Sequence, residues 1–264
     1  MLVNILILLV AAFSAIYAGI CLYAYYVSDS MIFPYPPASY ADGPEILKLN
    51  ASDGQIISAT FLEAEGSGEV LLYSHGNGED IGSIRPLLSE FRKRGVSVFA
   101  YDYPGYGTST GQPSERGVYA AAKAAFLYLT EQKNYPPESI TLYGRSLGSG
   151  PACWLAERYP VSGLILDGAF SSTFRVMTQV KLFPFDRFDN LAILPELDCP
   201  VLLIHGKKDV VIPFSHALKN EAALKSPAKT LWIDTANHNN LIEMAGERYW
   251  DTVLRFIRTK HSSS

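Results

Sequence analysis

Two hydrophobic patterns divide the chain. From Leu2 to Val27 no charged residue interrupts the apolar run, and the first acidic group is Asp29. About 20 apolar residues suffice to cross a bilayer, so residues 2–27 predict one membrane-spanning helix with some tilt. Tyr23, Tyr25 and Tyr26 stand at its end, where an interfacial aromatic belt belongs. Residues 29–44 are rich in proline and aromatics, which predicts a stiff, extended linker. Ile32, Phe33 and Tyr35 in it are expected to rest on the membrane surface or on the following domain.

From Glu45 the pattern changes to short apolar runs alternating with amphipathic ones. Ile46–Asn50 and Gln55–Glu63 flank the turn Ser52-Asp53-Gly54 and predict an antiparallel hairpin. Val70–Ser74, Val96–Tyr101, Ile140–Tyr143, Gly163–Leu166, Pro200–His205 and Thr230–Ile233 read as buried strands. Helical periodicity covers Ile84–Arg94, Tyr119–Lys133 and a closing segment Asn240–Lys260, whose Leu241, Met244, Tyr249, Leu254 and Ile257 mark the face to be buried. Residues 169–198 hold no strong strand signal and predict a short lid. Strands alternating with helices imply a mostly parallel sheet covered on both faces, with ligands at the C-terminal ends of its strands. Residues 45–264 are thus expected to form one α/β domain behind an anchor at 1–28.

Composition changes this picture little. A net charge of −4 gives no footprint for nucleic acid. Three thiols, Cys21, Cys153 and Cys199, suggest neither a disulfide framework nor a metal site. A cleaved secretory signal would need a basic start and a shorter core, but no Lys or Arg precedes Lys48. Ile20 is too bulky for the residue before a lipidated Cys21. An uncleaved anchor is favoured, with its orientation unset because neither flank carries a Lys/Arg bias.

The chemistry centres on residues 144–148, Gly-Arg-Ser-Leu-Gly, a G-x-S-x-G pattern directly after a strand and before a helix. So tight a turn strains its middle residue and leaves room only for hydrogen two positions either side, which Gly144 and Gly148 supply. Ser146 needs a base, and the base needs an orienting acid. His238 lies between the last strand and the closing helix, the place for a base in the chain order Ser…Asp…His. Asp209, after the Pro200–His205 strand, is favoured as the acid because its loop falls between the other two. Asp167 reads as a cap for the next segment and Asp102 as a turn former. The amides of Leu147 and Asn77 are the expected oxyanion donors, the second from the small-residue loop His75-Gly-Asn-Gly.

These motifs, with Tyr101-Asp-Tyr-Pro-Gly-Tyr-Gly, Leu203-Ile-His-Gly-Lys-Lys-Asp209, Gln112-Pro-Ser-Glu-Arg116 and Pro213-Phe-Ser-His216, resemble the α/β-hydrolase superfamily. More narrowly, residues 31–258 are similar to the membrane-associated α/β-hydrolase domain-containing proteins related to protein depalmitoylases. The resemblance implies an eight-stranded, mostly parallel sheet and a Ser146–Asp209–His238 triad. It implies ester or thioester substrates, small or protein-borne, and no metal or organic cofactor. Those depalmitoylases are usually held to membranes by a lipidated, cysteine-rich N-terminus, whereas here an apolar helix with the single Cys21 stands in that place. The same triad would serve a serine peptidase or amidase. A non-catalytic, membrane-tethered binding module is the remaining alternative, although idle relatives generally lack a triad member and none is missing here. Oligomeric state and natural substrate are left open.

Overall fold

The computed structural model describes residues 1–34, 36–178 and 181–259. Tyr35, expected on the membrane or the domain, lies outside the described residues, as do Lys260 and the tail with His261.

Eight strands form one sheet: β1 (Leu47–Asn50), β2 (Ile56–Leu62), β3 (Val70–Ser74), β4 (Ser97–Tyr101), β5 (Ile140–Arg145), β6 (Gly163–Asp167), β7 (Val201–Gly206) and β8 (Lys229–Ile233). Their order is β1-β2-β4-β3-β5-β6-β7-β8. The β1–β2 and β2–β4 pairs are antiparallel, and the other pairs are parallel. The predicted hairpin and six-strand parallel run are both present. Every residue of β3, β4 and β6 is buried. That is why these strands read as unbroken apolar runs: a parallel sheet covered on both faces has no polar side. Val70 and Leu72 enter one core, and Leu71 and Tyr73 enter the other.

Helices α1 (Leu2–Ile32), α2 (Arg85–Lys93), α3 (Glu115–Leu127), α4 (Ser149–Ala156), α5 (Thr173–Thr178), α6 (Asn190–Ile193), α7 (Ser215–Ala223), α8 (Leu241–Ala245) and α9 (Glu247–Arg258) complete the fold. Leu88 and Phe91 of α2 and Tyr249, Trp250, Val253, Phe256 and Ile257 of α9 fill the Leu71 side. Val118, Ala121, Ala122 and Ala125 of α3, with Ala152, Cys153 and Leu155 of α4, fill the Val70 side. α3 and the closing segment differ from their predicted bounds. α3 begins at Glu115 rather than Tyr119, because Ser114 caps it by accepting from Gly117 N–H at 3.1 Å. The closing segment breaks at Gly246, φ +55°, so α8 and α9 are separate and Met244 stays exposed instead of entering the core.

The N-terminal helix runs to Ile32, beyond the predicted start of the linker. No residue of its most apolar 18-residue window is buried, and the mean hydropathy there is 2.6. Its last turn behaves differently: Ser28 is buried, and Phe33 just beyond it is inserted into the core against Tyr106 and Phe188. The described residues between 169 and 198 form a small cap of α5, α6 and irregular chain.

Candidate active site

At the end of β5 the backbone turns sharply into α4, and Ser146 at the apex has φ +50°. A non-glycine residue rarely adopts this conformation, which costs on the order of 1–3 kcal/mol. The turn closes against β3. A Cβ on Gly148 would lie 2.0 Å from the Ser74 carbonyl oxygen, and one on Gly144 2.5 Å from the Gly148 carbonyl oxygen. Both obstacles are main chain, so neither can rotate away. Gly148→Ala is therefore expected to cost about 3 kcal/mol or more and to lower the melting temperature by roughly 6–12 °C, read by circular dichroism.

Ser146, Asp209 and His238 lie on three loops far apart in sequence and form one hydrogen-bonded chain. Ser146 Oγ is 3.0 Å from His238 Nε2, and His238 Nδ1 is 2.7 Å from Asp209 Oδ2. With Nδ1–H donating to the carboxylate, Nε2 is the nitrogen free to accept from the serine hydroxyl. Asp209 Oδ1 accepts the amides of Val211 at 2.9 Å and Ile212 at 2.8 Å, the pattern of an Asx turn. Burial alone would raise this carboxyl. The His238 hydrogen bond and charge and the Ile212 amide outweigh that and hold it below the usual carboxylate range. His205 also faces Asp209, with Nε2 at 3.4 Å from Oδ2 while donating to Ile212 O at 2.8 Å. Burial pulls its pKa down. A neutral His205 adds no charge beside Asp209, which is held by His238 on one oxygen and by the two amides on the other.

The other candidates lie elsewhere. Asp167 does not cap the following segment. The sheet continues one residue further than predicted, placing Asp167 beside Arg145 and Ile204, and its side chain is buried beneath α9. Its Oδ2 accepts from Tyr143 and lies 3.4 Å from the Tyr249 hydroxyl, while burial raises its pKa. Asp102 stands at the start of its Gly/Pro loop, away from the triad. It is fully buried, accepting from Tyr40 at 2.5 Å and from Ile81 N–H at 2.8 Å, beside His75 Nε2 at 3.3 Å. His216 is buried against Ser171, and burial lowers its pKa to about 4. Burial also pushes the Cys153 thiol up strongly and Cys199 to about 11, so both are protonated near neutral pH.

Leu147 is the second residue of the turn that opens α4, among the amides that a helix start leaves without an intrahelical partner. Nearby, Gly76 N–H donates to Glu79 Oε2 at 2.7 Å, and the Gly76 carbonyl, part of the peptide leading into Asn77, accepts from His75 Nδ1 at 2.9 Å. Glu79 Oε1 pairs with Arg145, the variable residue of the elbow. Arg145 Nη2 in turn reaches Asn239 Oδ1 at 3.3 Å and His238 O at 3.5 Å. Burial works against the Arg145 charge, but Glu79 outweighs it and keeps the guanidinium ionised. The pair therefore links the elbow, the His75–Glu79 loop and the His238 loop, in the wall of a 240 Å³ cavity behind the imidazole. Nothing in a five-residue motif marks Arg145 for this, because its partners stand 66 and 94 residues away. Glu79→Gln and Arg145→Gln are each expected to lower turnover about 10- to 100-fold through misalignment of these loops. The double variant should lose less than the product of the two, since both remove one bridge.

A family model described as "alpha/beta hydrolase fold" matches residues 69–193. The Pyrococcus furiosus esterase Pf2001 superposes with a TM-score of 0.71 at 20% identity, covering 84% of this chain and 98% of that one. An esterase from Exiguobacterium antarcticum does so with a TM-score of 0.64 at 18% identity, over 80% and 99%. Family model and superpositions together place the chain in the α/β-hydrolase fold class. Alpha/beta hydrolase domain-containing protein 17B of Homo sapiens is 34% identical over 220 residues, covering 82% of this chain and 76% of that protein. The 17C protein of Xenopus laevis is 35% identical over 220 residues, covering 82% and 70%. The chain belongs to the alpha/beta hydrolase domain-containing protein family.

Proposed function

We propose that the protein is a membrane-anchored serine hydrolase that cleaves carboxylic esters or thioesters of acyl, lipid-type substrates. The observation that carries this is the continuous chain from the Ser146 hydroxyl through His238 to the buried, doubly amide-bonded carboxylate of Asp209. Ser146 Oγ attacks the acyl carbonyl while His238 Nε2 takes its proton, and Asp209 holds the imidazolium that results. The carbonyl electrons move onto oxygen, where the amides of Leu147 and Asn77 stabilise the charge. As the intermediate collapses, the ester or thioester bond breaks and His238 returns the proton to the departing alcohol or thiol. Water activated by His238 then attacks the acyl-enzyme, releases the acid and restores Ser146.

The anchor is supported by the length, hydropathy and complete exposure of the apolar part of α1. Hydrocarbon solvates such a surface, whereas water makes it an aggregation liability. The acyl preference rests on that anchor and on resemblance to the depalmitoylase group.

Covalent labelling by a fluorophosphonate in detergent or nanodiscs tests the reading. The expected result is stoichiometric labelling of the wild type, abolished in Ser146→Ala. Labelling that survives in the variant refutes it. Matched ester, thioester and peptide substrates then test the bond preference, and faster peptide cleavage would make the protein a peptidase or amidase.

A further inference from the structure

The end of the apolar helix touches the loop that carries Asn77. Ile32 closes α1, and its carbonyl is one of those a helix end leaves without an intrahelical donor. Asn77 Nδ2–H donates to that carbonyl at 2.5 Å. At the other end of the same side-chain amide, Oδ1 accepts the Tyr106 hydroxyl at 2.7 Å. The exposed Asn77 side chain is thus held at both ends of its amide, which restrains the residue that carries it.

Tyr106 is fully buried, and its ring packs edge-on against Phe33 at 6.5 Å between centroids. Phe33 follows Ile32 directly and is 1% exposed. The helix therefore contributes a carbonyl to one side of Asn77 and an aromatic support to the group on its other side. A second set of bonds fixes the angle of the helix against the cap. Arg187 Nη2 donates to Tyr25 O at 3.2 Å and Nε to Ser28 Oγ at 3.3 Å, and Arg187 lies 3.5 Å from Asp29 Oδ1. Its guanidinium also lies 4.8 Å from the Tyr25 ring centre. Phe185 packs edge-on against the same ring.

We propose that the seated end of the anchor helix is a positioning part of the active site. Ile32 and Phe33, with Tyr106, hold Asn77 so that its backbone N–H faces the developing oxyanion. This rests on the hydrolase reading above, in which that amide is the second oxyanion donor. The anchor would then set turnover as well as location, and a change in how the helix sits would reach the chemistry through one side-chain amide.

The test uses the full chain in phosphatidylcholine nanodiscs, with p-nitrophenyl acetate as a substrate that does not need the bilayer. Asn77→Ala and Phe33→Ala are each expected to lower kcat about tenfold, with KM within about twofold. The double variant should be no worse than the poorer single one, because both release the same peptide. Phe33→Leu, which keeps apolar volume, should recover most of the loss. Tyr106→Phe removes only the hydroxyl and gives an independent reading should Phe33→Ala fold poorly; it is expected to lower kcat with KM retained. Wild-type kcat in Asn77→Ala, losses confined to KM, or single losses that multiply in the double variant would each overturn the proposal. Ser146→Ala in the same discs separates the two ideas. Turnover surviving there overturns the hydrolase reading and this one together, whereas turnover lost there but intact in Asn77→Ala overturns this one alone.

Discussion

Ser146→Ala is expected to reduce p-nitrophenyl ester turnover by about four to six orders of magnitude, with the fold and melting temperature retained. The side chain is small, half-buried and at a turn apex, so loss of one hydroxyl leaves no large void. What disappears is the hydroxyl that His238 Nε2 faces at 3.0 Å, the nucleophile of the proposed reaction. His238→Ala should fall by a comparable factor, and the two losses should not add, because base and nucleophile act as one unit. Stopped assays at high enzyme concentration are needed to read the remainder. A Ser146→Ala enzyme within tenfold of wild type would end the mechanism.

The second large effect is expected at Asp209. Asp209→Asn should lower turnover by about 10⁴-fold, because an amide facing His238 Nδ1 no longer selects the tautomer that leaves Nε2 free. Asp167→Asn is the contrast. Asp167 bonds to tyrosines beneath α9 and not to His238, so its replacement should shift melting while turnover is retained. A large turnover loss at Asp167 with little at Asp209 would exchange their roles.

Asp209 also carries a pH signature. Its folded pKa is depressed, so the unfolded chain takes up that proton first as pH falls. The stability it contributes is fully present above the unfolded value of about 3.9 and is lost as pH falls through the lower folded value. Urea midpoints at a series of pH values should therefore show wild type losing its advantage over Asp209→Asn below about pH 4. Asp167 works in the opposite sense: burial raises its folded pKa, so the stability its protonated form contributes is present below about 3.9 and is lost as pH rises from there through the higher folded value.

Much of this protein is local and was therefore legible along the chain. Strands β3 to β7 are short, mostly apolar runs because both faces of the sheet are covered, and such runs stand out between turn formers. The elbow is a local steric problem whose solution is two glycines at fixed spacing. Asp209 opens an Asx turn whose amide partners are two and three residues away. The order of the three loops follows from how strands and crossovers alternate. From these features alone come the parallel sheet, the apolar N-terminal helix, and the candidates Ser146, Asp209 and His238.

What the tertiary structure decided is pairing between side chains distant in sequence. Asp167 and Asp102 look alike in the sequence, each polar after an apolar strand, yet both are buried by groups that periodicity cannot place. Tyr249 of α9 covers the first, and Tyr40 covers the second from before the domain. Arg145 becomes a bridge only when the Glu79 and Asn239 loops arrive beside it. The seating of Phe33 is of the same kind: a linker aromatic is equally content on lipid or protein. The tertiary structure seats it edge-on against Tyr106 and Phe188 in the domain core. Hydrophobic pattern sets which face of an element is covered, but the identity of the covering group depends on long-range packing that no local stretch encodes.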